Sequence, residues 1–174
     1  MALFIKFDGV DGEAQDKDHK GWSDILSFSW GLHKAGGGAT GQTRRRGVAT
    51  VEDVVCTKEY DKSSPKLCEA VCSGKVFPKV EIHNTATYAE NRATFLKYEL
   101  KNVLVTSHSV GASGAGDAVP TETMSLNFPA WNEEGAVNDH YYRVHNCAWG
   151  LTAVLQYKAA TGDASFDWYG ETCA

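Results

Sequence analysis

Residues 54–75 read VVCTKEYDKSSPKLCEAVCSGK, and thiols, amines and carboxylates lie close together in this stretch. The thiols are Cys56, Cys68 and Cys72, the amines are Lys58, Lys62 and Lys66, and the carboxylates are Glu59, Asp61 and Glu69. Two interpretations compete. The stretch is a catalytic centre, or it is the place where a β-rich chain forms its one helix.

The local pattern favours a helix. Ser64 is the predicted N-cap, and Pro65 suits the first helical position because its missing N–H would have no partner there. Gly74 can end the helix in the left-handed region. The apolar positions share one face, with i, i+3, i+4 spacing: Leu67, Ala70 and Val71. The stretch is therefore predicted to be a strand end, a turn and a capped helix.

Outside this stretch, apolar and polar residues alternate along short segments. The apolar faces of the three clearest segments are Leu26, Phe28 and Trp30; Leu96, Tyr98 and Leu100; and Met124, Leu126 and Phe128. Weaker strand signals cover residues 3–7, 48–55, 76–83 and 141–157. Alternation of this kind is typical of strands with one face in water, and repeated short strands favour a barrel or a sandwich.

Length and charge narrow the class of protein. The 174 residues suffice for one core, so residues 1–174 are expected to form a single domain. The net charge of −5 argues against nucleic acid as the main partner, because phosphate binding needs a clustered excess of Lys and Arg. No apolar stretch approaches the roughly 18–20 residues that cross a bilayer, so membrane insertion is not expected. The N-terminal residues lack the basic region of a signal peptide, so we expect folding in the cytoplasm.

The five cysteines include no CxxC pair, and we interpret them mainly as small buried hydrophobes in a reducing compartment. Cys68 and Cys72 lie one helical turn apart and are expected on the buried face. Nucleophilic catalysis would need Cys56 to pair with His83 or His145, and no local signature of a catalytic cysteine surrounds Cys56. The structural interpretation is therefore preferred.

Metal and phosphate sites are not indicated. His145 and Cys147 lie two residues apart on a predicted strand, with His140 nearby, but the paired spacing of a zinc site is missing. Residues 36–41, GGGATG, lack the Lys-Ser/Thr ending of a phosphate loop. No cofactor is therefore expected.

Two segments resemble long loops. Residues 31–47, GLHKAGGGATGQTRRRG, and residues 110–122, VGASGAGDAVPTE, are rich in glycine and lack a periodic apolar face. Loops longer than about 12–15 residues in a compact domain tend to be functional or disordered. Residues 31–47 are therefore a candidate for contacts with other molecules.

Several segments together resemble the Hcp family, the tube-forming proteins of bacterial type VI secretion systems. They follow the family's order across residues 2–130: LFIKFDGVDGEAQDKDHKGW and ILSFSWG, then TKEYDKSSPKLCEAVCSGK, then YELKNVLVTSHSVG and PTETMSLNF. The resemblance implies a small β-barrel of two antiparallel sheets with one short α-helix, similar to phage tail-tube proteins. It also implies homohexameric rings that assemble in the bacterial cytoplasm, stack into a tube and are secreted without a cleaved signal peptide.

The resemblance also implies partners and an assembly surface. The partners are the sheath, spike and baseplate proteins of the secretion system, and effector proteins carried in the lumen. The core domain of the family has no catalytic role. In the family, the extended loop after the second strand reaches neighbouring subunits, and here that loop offers Gly31, His33, Lys34, Gly36, Gly37, Gly38, Gln42, Arg44, Arg45, Arg46 and Gly47.

The resemblance ends near residue 130. Residues 131–174 carry a strand signal without a match, and residues 158–174 are a C-terminal tail too short to build a second core. Two alternatives remain open: a monomeric effector carrier, and a Cys/His-dependent hydrolase that uses His145 and Cys147.

Overall fold

The computed structural model describes the backbone of residues 1–36, 46–88, 91–114, 119–128, 139–146, 151–158 and 163–170, and most side chains up to residue 128. The described elements are β1 Ala2–Phe7, β2 Ser23–Ser29, β3 Leu32–Gly36, β4 Arg46–Val51, β5 Val54–Glu59, α1 Ser64–Ser73, β6 Val76–Tyr88, β7 Asn91–Gly111, β8 Thr121–Asn127, β9 Asp139–Asn146, β10 Leu151–Lys158 and β11 Asp163–Gly170. Within these residues, the one helix is too short to cross a membrane.

Six strands close into an antiparallel barrel. Around the barrel the order is β1, β2, β5, β8, β7 and β6, and β6 pairs again with β1. The pairing of β7 with β8 closes the circle. Closure matters because it satisfies the backbone groups that an open sheet would leave unpaired at its edges. The predicted fold, a small antiparallel β-barrel with one helix, is confirmed.

The long strand β7 connects the barrel to the C-terminal strands. Along one edge it pairs first with β9, through residues 96–100, and then with β8, through residues 104–111. β10 and β11 continue from β9 as antiparallel neighbours. The strand signal predicted over residues 141–157 is therefore divided between β9 and β10, and part of the predicted tail forms β11.

The core lies inside the barrel and beneath α1. Its buried side chains come from all six barrel strands and from the helix: Ile5, Phe7, Ile25, Val54, Cys56, Leu67, Ala70, Phe77, Val80, Ile82, Leu100, Val103, Val105, Met124, Leu126 and Phe128. The inward positions predicted for the segments around Leu100 and Leu126 are confirmed. Leu67 and Ala70 pack the helix onto the barrel, as predicted.

The helix begins at Ser64 with Pro65 in its first turn, and Gly74 ends it with a positive φ of 67°. The assignment of Ser64 as N-cap was wrong, because the cap residue is Ser63, whose side chain makes no capping hydrogen bond. The hydroxyl of Ser64 instead points into the protein, where polar partners bind it.

A β-bulge in β2 places Leu26 on the opposite face of the strand from the one predicted. The pairing with β5 shifts between Ile25 and Ser27, so Leu26 is an extra residue in the strand. Ile25 is buried and Leu26 is 56% exposed, whereas Phe28 packs against the core. The prediction that Leu26 shares the inner face was therefore wrong, because a bulge reverses the alternation that continuous pairing would keep.

The segment 31–47 is partly strand. Its two ends form β3 and β4, which pair with each other, while residues 37–45 lie outside the described residues. The strand signal predicted over residues 48–55 is divided between β4 and β5. The ends of the segment are thus paired strands, with a register shift between Lys34 and Gly36, rather than a loop.

Candidate assembly site

The hairpin of β3 and β4, called the β3–β4 arm below, forms a sheet of its own beside the barrel sheet. Its register runs from Leu32 opposite Val51 to Gly36 opposite Arg46. In the described part of the chain its strands pair only with each other and form a separate two-stranded sheet. An isolated two-stranded hairpin is marginally stable in water, and its outer edges carry unpaired backbone groups. The arm therefore suits contact with a further molecule.

The base of the arm is held by Glu52. Its backbone N–H donates to the carbonyl oxygen of Gly31 at 2.9 Å, and its side chain lies 3.4 Å from Nδ1 of His33. Both side chains of this ion pair are more than half exposed, so its contribution to stability is small. Gly31 and Glu52 directly flank β3 and β4, so their backbone bond closes the base of the arm.

The structure places only some of the predicted assembly residues. Gly31 and His33 lie at the base of the arm. Four further positions lie in its strands: Lys34, Gly36, Arg46 and Gly47. The remaining predicted residues lie outside the described residues: Gly37, Gly38, Gln42, Arg44 and Arg45.

A buried charge cluster lies where β5, β8 and the start of α1 meet. The ammonium of Lys58, which is fully buried, lies 2.6 Å from Oε1 of Glu122 and 2.7 Å from Oδ1 of Asp61. The Ser64 hydroxyl donates to Oε1 of Glu122 at 2.9 Å and accepts from the Asp61 N–H at 3.0 Å. The cluster therefore ties the helix start to two barrel strands.

Two further side chains lie within hydrogen-bond distance of the remaining carboxylate oxygens. Nε2 of His108 lies 2.9 Å from Oε2 of Glu122, and the Ser23 hydroxyl donates to Asp61 at 2.7 Å. Burial alone would raise the pKa of Asp61, but hydrogen bonds from Lys58, Ser23 and Ser63 outweigh it and hold that pKa below its usual value. The carboxylate of Asp61 is therefore ionised at neutral pH.

The charged groups of this arrangement are paired with one another inside the protein. The acidic oxygens of Glu122 and Asp61 are engaged by protein donors, and Lys58 is enclosed. The thiol of Cys56, on the same strand, is buried, and burial raises its pKa to about 12. At neutral pH that thiol is protonated, so it is a poor nucleophile. The buried groups of residues 54–64 therefore connect β5 to the start of α1.

A second polar cluster fastens the segment before β2 to the outside of the barrel. The ring of His19 stacks on Phe4 at 4.2 Å between centroids, and its two nitrogens lie 2.7 Å from Oδ1 of Asp16 and 2.9 Å from Nδ1 of His83. Burial, followed by the neighbouring His19 and nearby lysines, lowers the pKa of His83 to about 3. His83 is therefore neutral at physiological pH.

Neither cluster was predicted from the sequence. Lys58 could have been found, because it follows Val54 and Cys56 at every second position of β5, on the inward face. Nothing in the sequence indicates that Glu122 would lie opposite it. The contact between His19 and His83 joins residues 64 positions apart, and no local signal reports it.

The structure does not bring together the Cys and His side chains that were considered as a catalytic pair. His83 bonds to His19, and Cys56 lies in the core. Cys68 and Cys72 are exposed, so the prediction that they are buried was wrong. The buried stripe of α1 runs through Ser64, Leu67 and Ala70, and positions one or two residues beyond that stripe turn toward solvent.

The alternative site lies mostly outside the described residues. The backbone of His145 lies in β9, opposite Lys97, and Cys147 lies outside the described residues. Among the described residues, no three His, Cys, Asp or Glu side chains are arranged to hold a metal ion.

Comparison with known proteins gives a consistent result. Residues 4–133 match the family model described as "Type VI secretion system effector, Hcp". The chain is 40% identical over 126 residues to Protein hcp1 of Pseudomonas aeruginosa, a match that covers 72% of this chain and 77% of that protein.

Solved structures share the fold. One titled "Structure of a type six secretion system protein" has a TM-score of 0.75 at 24% identity and covers 94% of this chain and 99% of its own. Hcp1 from Salmonella typhimurium has a TM-score of 0.69, also at 24% identity, with coverage of 94% and 98%. Both matches extend beyond residue 133, so the fold likeness includes strands that the family model leaves out.

Proposed function

This chain belongs to the Hcp family and is a type VI secretion tube protein, and we propose that six copies form a ring and that rings stack into an exported tube. The observation that carries the proposal is the β3–β4 arm. It is a two-stranded sheet hydrogen-bonded to itself and, in the described residues, not to the barrel. Docking on a neighbouring subunit would supply the packing that the arm lacks on its own.

A closed barrel limits how copies can associate. Since the barrel edges are paired with each other, contacts must use side-chain faces and projecting segments. Head-to-tail contacts close into rings or continue as filaments, depending on the rotation between copies. A tube needs both, so each subunit must present different surfaces at its two ends.

The two ends of the barrel do differ. The arm leaves near Val54, at the start of β5. At the other end of β5, Tyr60 donates its N–H to Pro120 at 2.8 Å, beside exposed Val110 and Val119. Exposed apolar side chains at this end are available for contacts with another copy. We assign this end to the contact that receives the next ring.

The remaining features support a structural and non-enzymatic role. The buried charge cluster and the His19–His83 contact connect barrel elements at two places, which is consistent with a structural role. We propose that rings assemble in the bacterial cytoplasm and leave without a cleaved leader. The sheath, spike, baseplate and effector proteins of the secretion system are the proposed partners.

Shortening the arm tests the proposal. In the variant, residues 34–46 are replaced by a short Gly-Ser turn. Because loop-closure entropy changes slowly with length, the variant should keep its β-rich spectrum and most of its melting temperature. It should lose the stacking of rings into tubes in electron micrographs, and secretion with it.

A second variant shortens the loop at the opposite end of the barrel, which the proposal assigns to the contact that receives the next ring. Residues 112–118 are replaced by a short Gly-Ser turn, and stacking should weaken in this variant as well. Normal long tubes and normal secretion from the arm variant would exclude the arm as the stacking element. Unchanged stacking in the second variant would exclude the assignment of that barrel end to the receiving contact.

A further inference from the structure

Two exposed thiols lie one turn apart on α1, and the tube proposal gives them no role. Cys68 and Cys72 are exposed, whereas Cys56 is buried. At i, i+4 on a helix, the two Cβ atoms face the same side at a separation of about 5–6 Å. The arrangement is therefore a dithiol on one helix face.

The helix that carries the dithiol is held at both ends. Ser64 bonds into the buried charge cluster, Leu67 and Ala70 pack on the core, and the left-handed Gly74 ends the last turn. The spacing of the thiols is thus set before any ligand arrives. A preformed spacing lowers the entropy lost when both groups bind the same partner.

This spacing disfavours a disulfide within the helix. A disulfide needs Cβ atoms about 3.5–4.5 Å apart, closer than one helical turn allows without distortion. A metal ion bridges a wider gap. With metal–sulfur bonds of about 2.3 Å, two sulfur atoms can lie up to about 4.6 Å apart, which rotation of both side chains toward each other achieves.

We propose that Cys68 and Cys72 form a bidentate site for one soft, thiophilic metal ion of the Cu(I) class. Among the described residues no third His, Cys, Asp or Glu completes a set with them, so the four-coordinate site that structural zinc requires is not formed. Thiolate pairs select soft ions such as Cu(I). Binding converts two thiols and M⁺ into a bis-thiolate complex of charge −1 and two released protons, with no change of oxidation state.

The first test titrates the chain with Cu(I), without oxygen, against a chromophoric copper chelator. The parent is the Cys147→Ser/Cys173→Ser variant, which lacks the two thiols outside the described residues. One ion per chain should bind. Cys68→Ser should weaken binding at least about tenfold, because the second thiolate binds intramolecularly in the parent.

A matched control keeps the number of exposed thiols and changes only their geometry. The Cys72→Ser/Ser73→Cys variant moves one thiol to i+5, on a different face of the helix. It should bind as weakly as Cys68→Ser. Binding as tight as in the parent would overturn the proposal, since the site would then not depend on one helix face.

The unmodified chain provides a second readout that does not depend on the variants. One equivalent of Cu(I) should protect Cys68 and Cys72 from alkylation by N-ethylmaleimide, as measured by peptide mass mapping. Protection of other thiols while these two still react would also overturn the proposal. Both tests are run at one fixed protein concentration, so that the state of association is the same for every variant.

Discussion

Replacement of Lys58 by Met should destabilise the barrel more than any single surface change. Lys58 is fully buried and lies within 2.7 Å of the carboxylates of Glu122 and Asp61. Methionine fills a similar volume but leaves two acidic groups in the protein interior without their cation. Breaking a buried pair by removing one partner costs about 3–5 kcal/mol, and we expect Lys58→Met to fall in that range.

Replacement of Glu122, the partner of Lys58, by Gln should lower the unfolding free energy by a smaller amount. In Glu122→Gln the amide oxygen still accepts from Ser64, and Asp61 still balances the charge of Lys58. The loss is then that of charge-assisted hydrogen bonds, about 1–3 kcal/mol. A larger loss of unfolding free energy in Lys58→Met than in Glu122→Gln would show that the cluster carries net negative charge when the lysine is absent. This order is more informative than either value alone.

Urea unfolding at neutral pH measures these differences, at one fixed protein concentration because association with other copies adds apparent stability. The control is Lys79→Met, which removes an exposed lysine 3.0 Å from Glu81 and should cost at most about 1 kcal/mol. If Lys58→Met loses no more unfolding free energy than Lys79→Met, the buried charge cluster does not stabilise the barrel as proposed. The same conclusion would follow from a larger loss for Glu122→Gln than for Lys58→Met.

Two further predictions concern neighbouring groups. The pKa of His83 is about 3 in the folded chain, below its usual 6.5, so as pH falls from about 6.5 toward 3 the unfolded imidazole gains a proton first and stability declines. His83→Asn keeps a donor toward His19 and should flatten this decline in thermal melts between pH 7 and pH 4.5. An unchanged slope would contradict the low pKa assigned to His83. Ser64→Ala should lower the unfolding free energy by about 1–3 kcal/mol because it leaves buried polar partners unpaired. Ser73→Ala, on the exposed side of the helix, should leave the unfolding free energy almost unchanged. Equal losses in the two variants would contradict the role given to Ser64.

The sequence predicted those parts of the fold that depend on local patterns. Alternation around Met124 and Leu126 located a strand and its inner face, and Gly74 located the end of the helix. These signals depend only on residues that are neighbours along the chain. They therefore appear in the sequence even when the fold is unknown.

Features set by tertiary pairing were not predictable in the same way. The bulge that exposes Leu26 depends on how β2 aligns with β5, and the ion pair of Lys58 with Glu122 joins strands far apart in sequence. The exposure of Cys68 depends on which of two adjacent helix faces meets the barrel. Each outcome follows from the closed arrangement of strands, which no single segment encodes.

The mass of the assembled protein tests the central claim most directly. Native mass spectrometry of the purified chain, with electron microscopy of the same sample, reports both ring size and stacking. We expect a species at six times the 18.9 kDa of one chain, seen end-on as six-membered rings, with stacks appearing as concentration rises. A strict monomer at high protein concentration, with no rings in the micrographs, would contradict it.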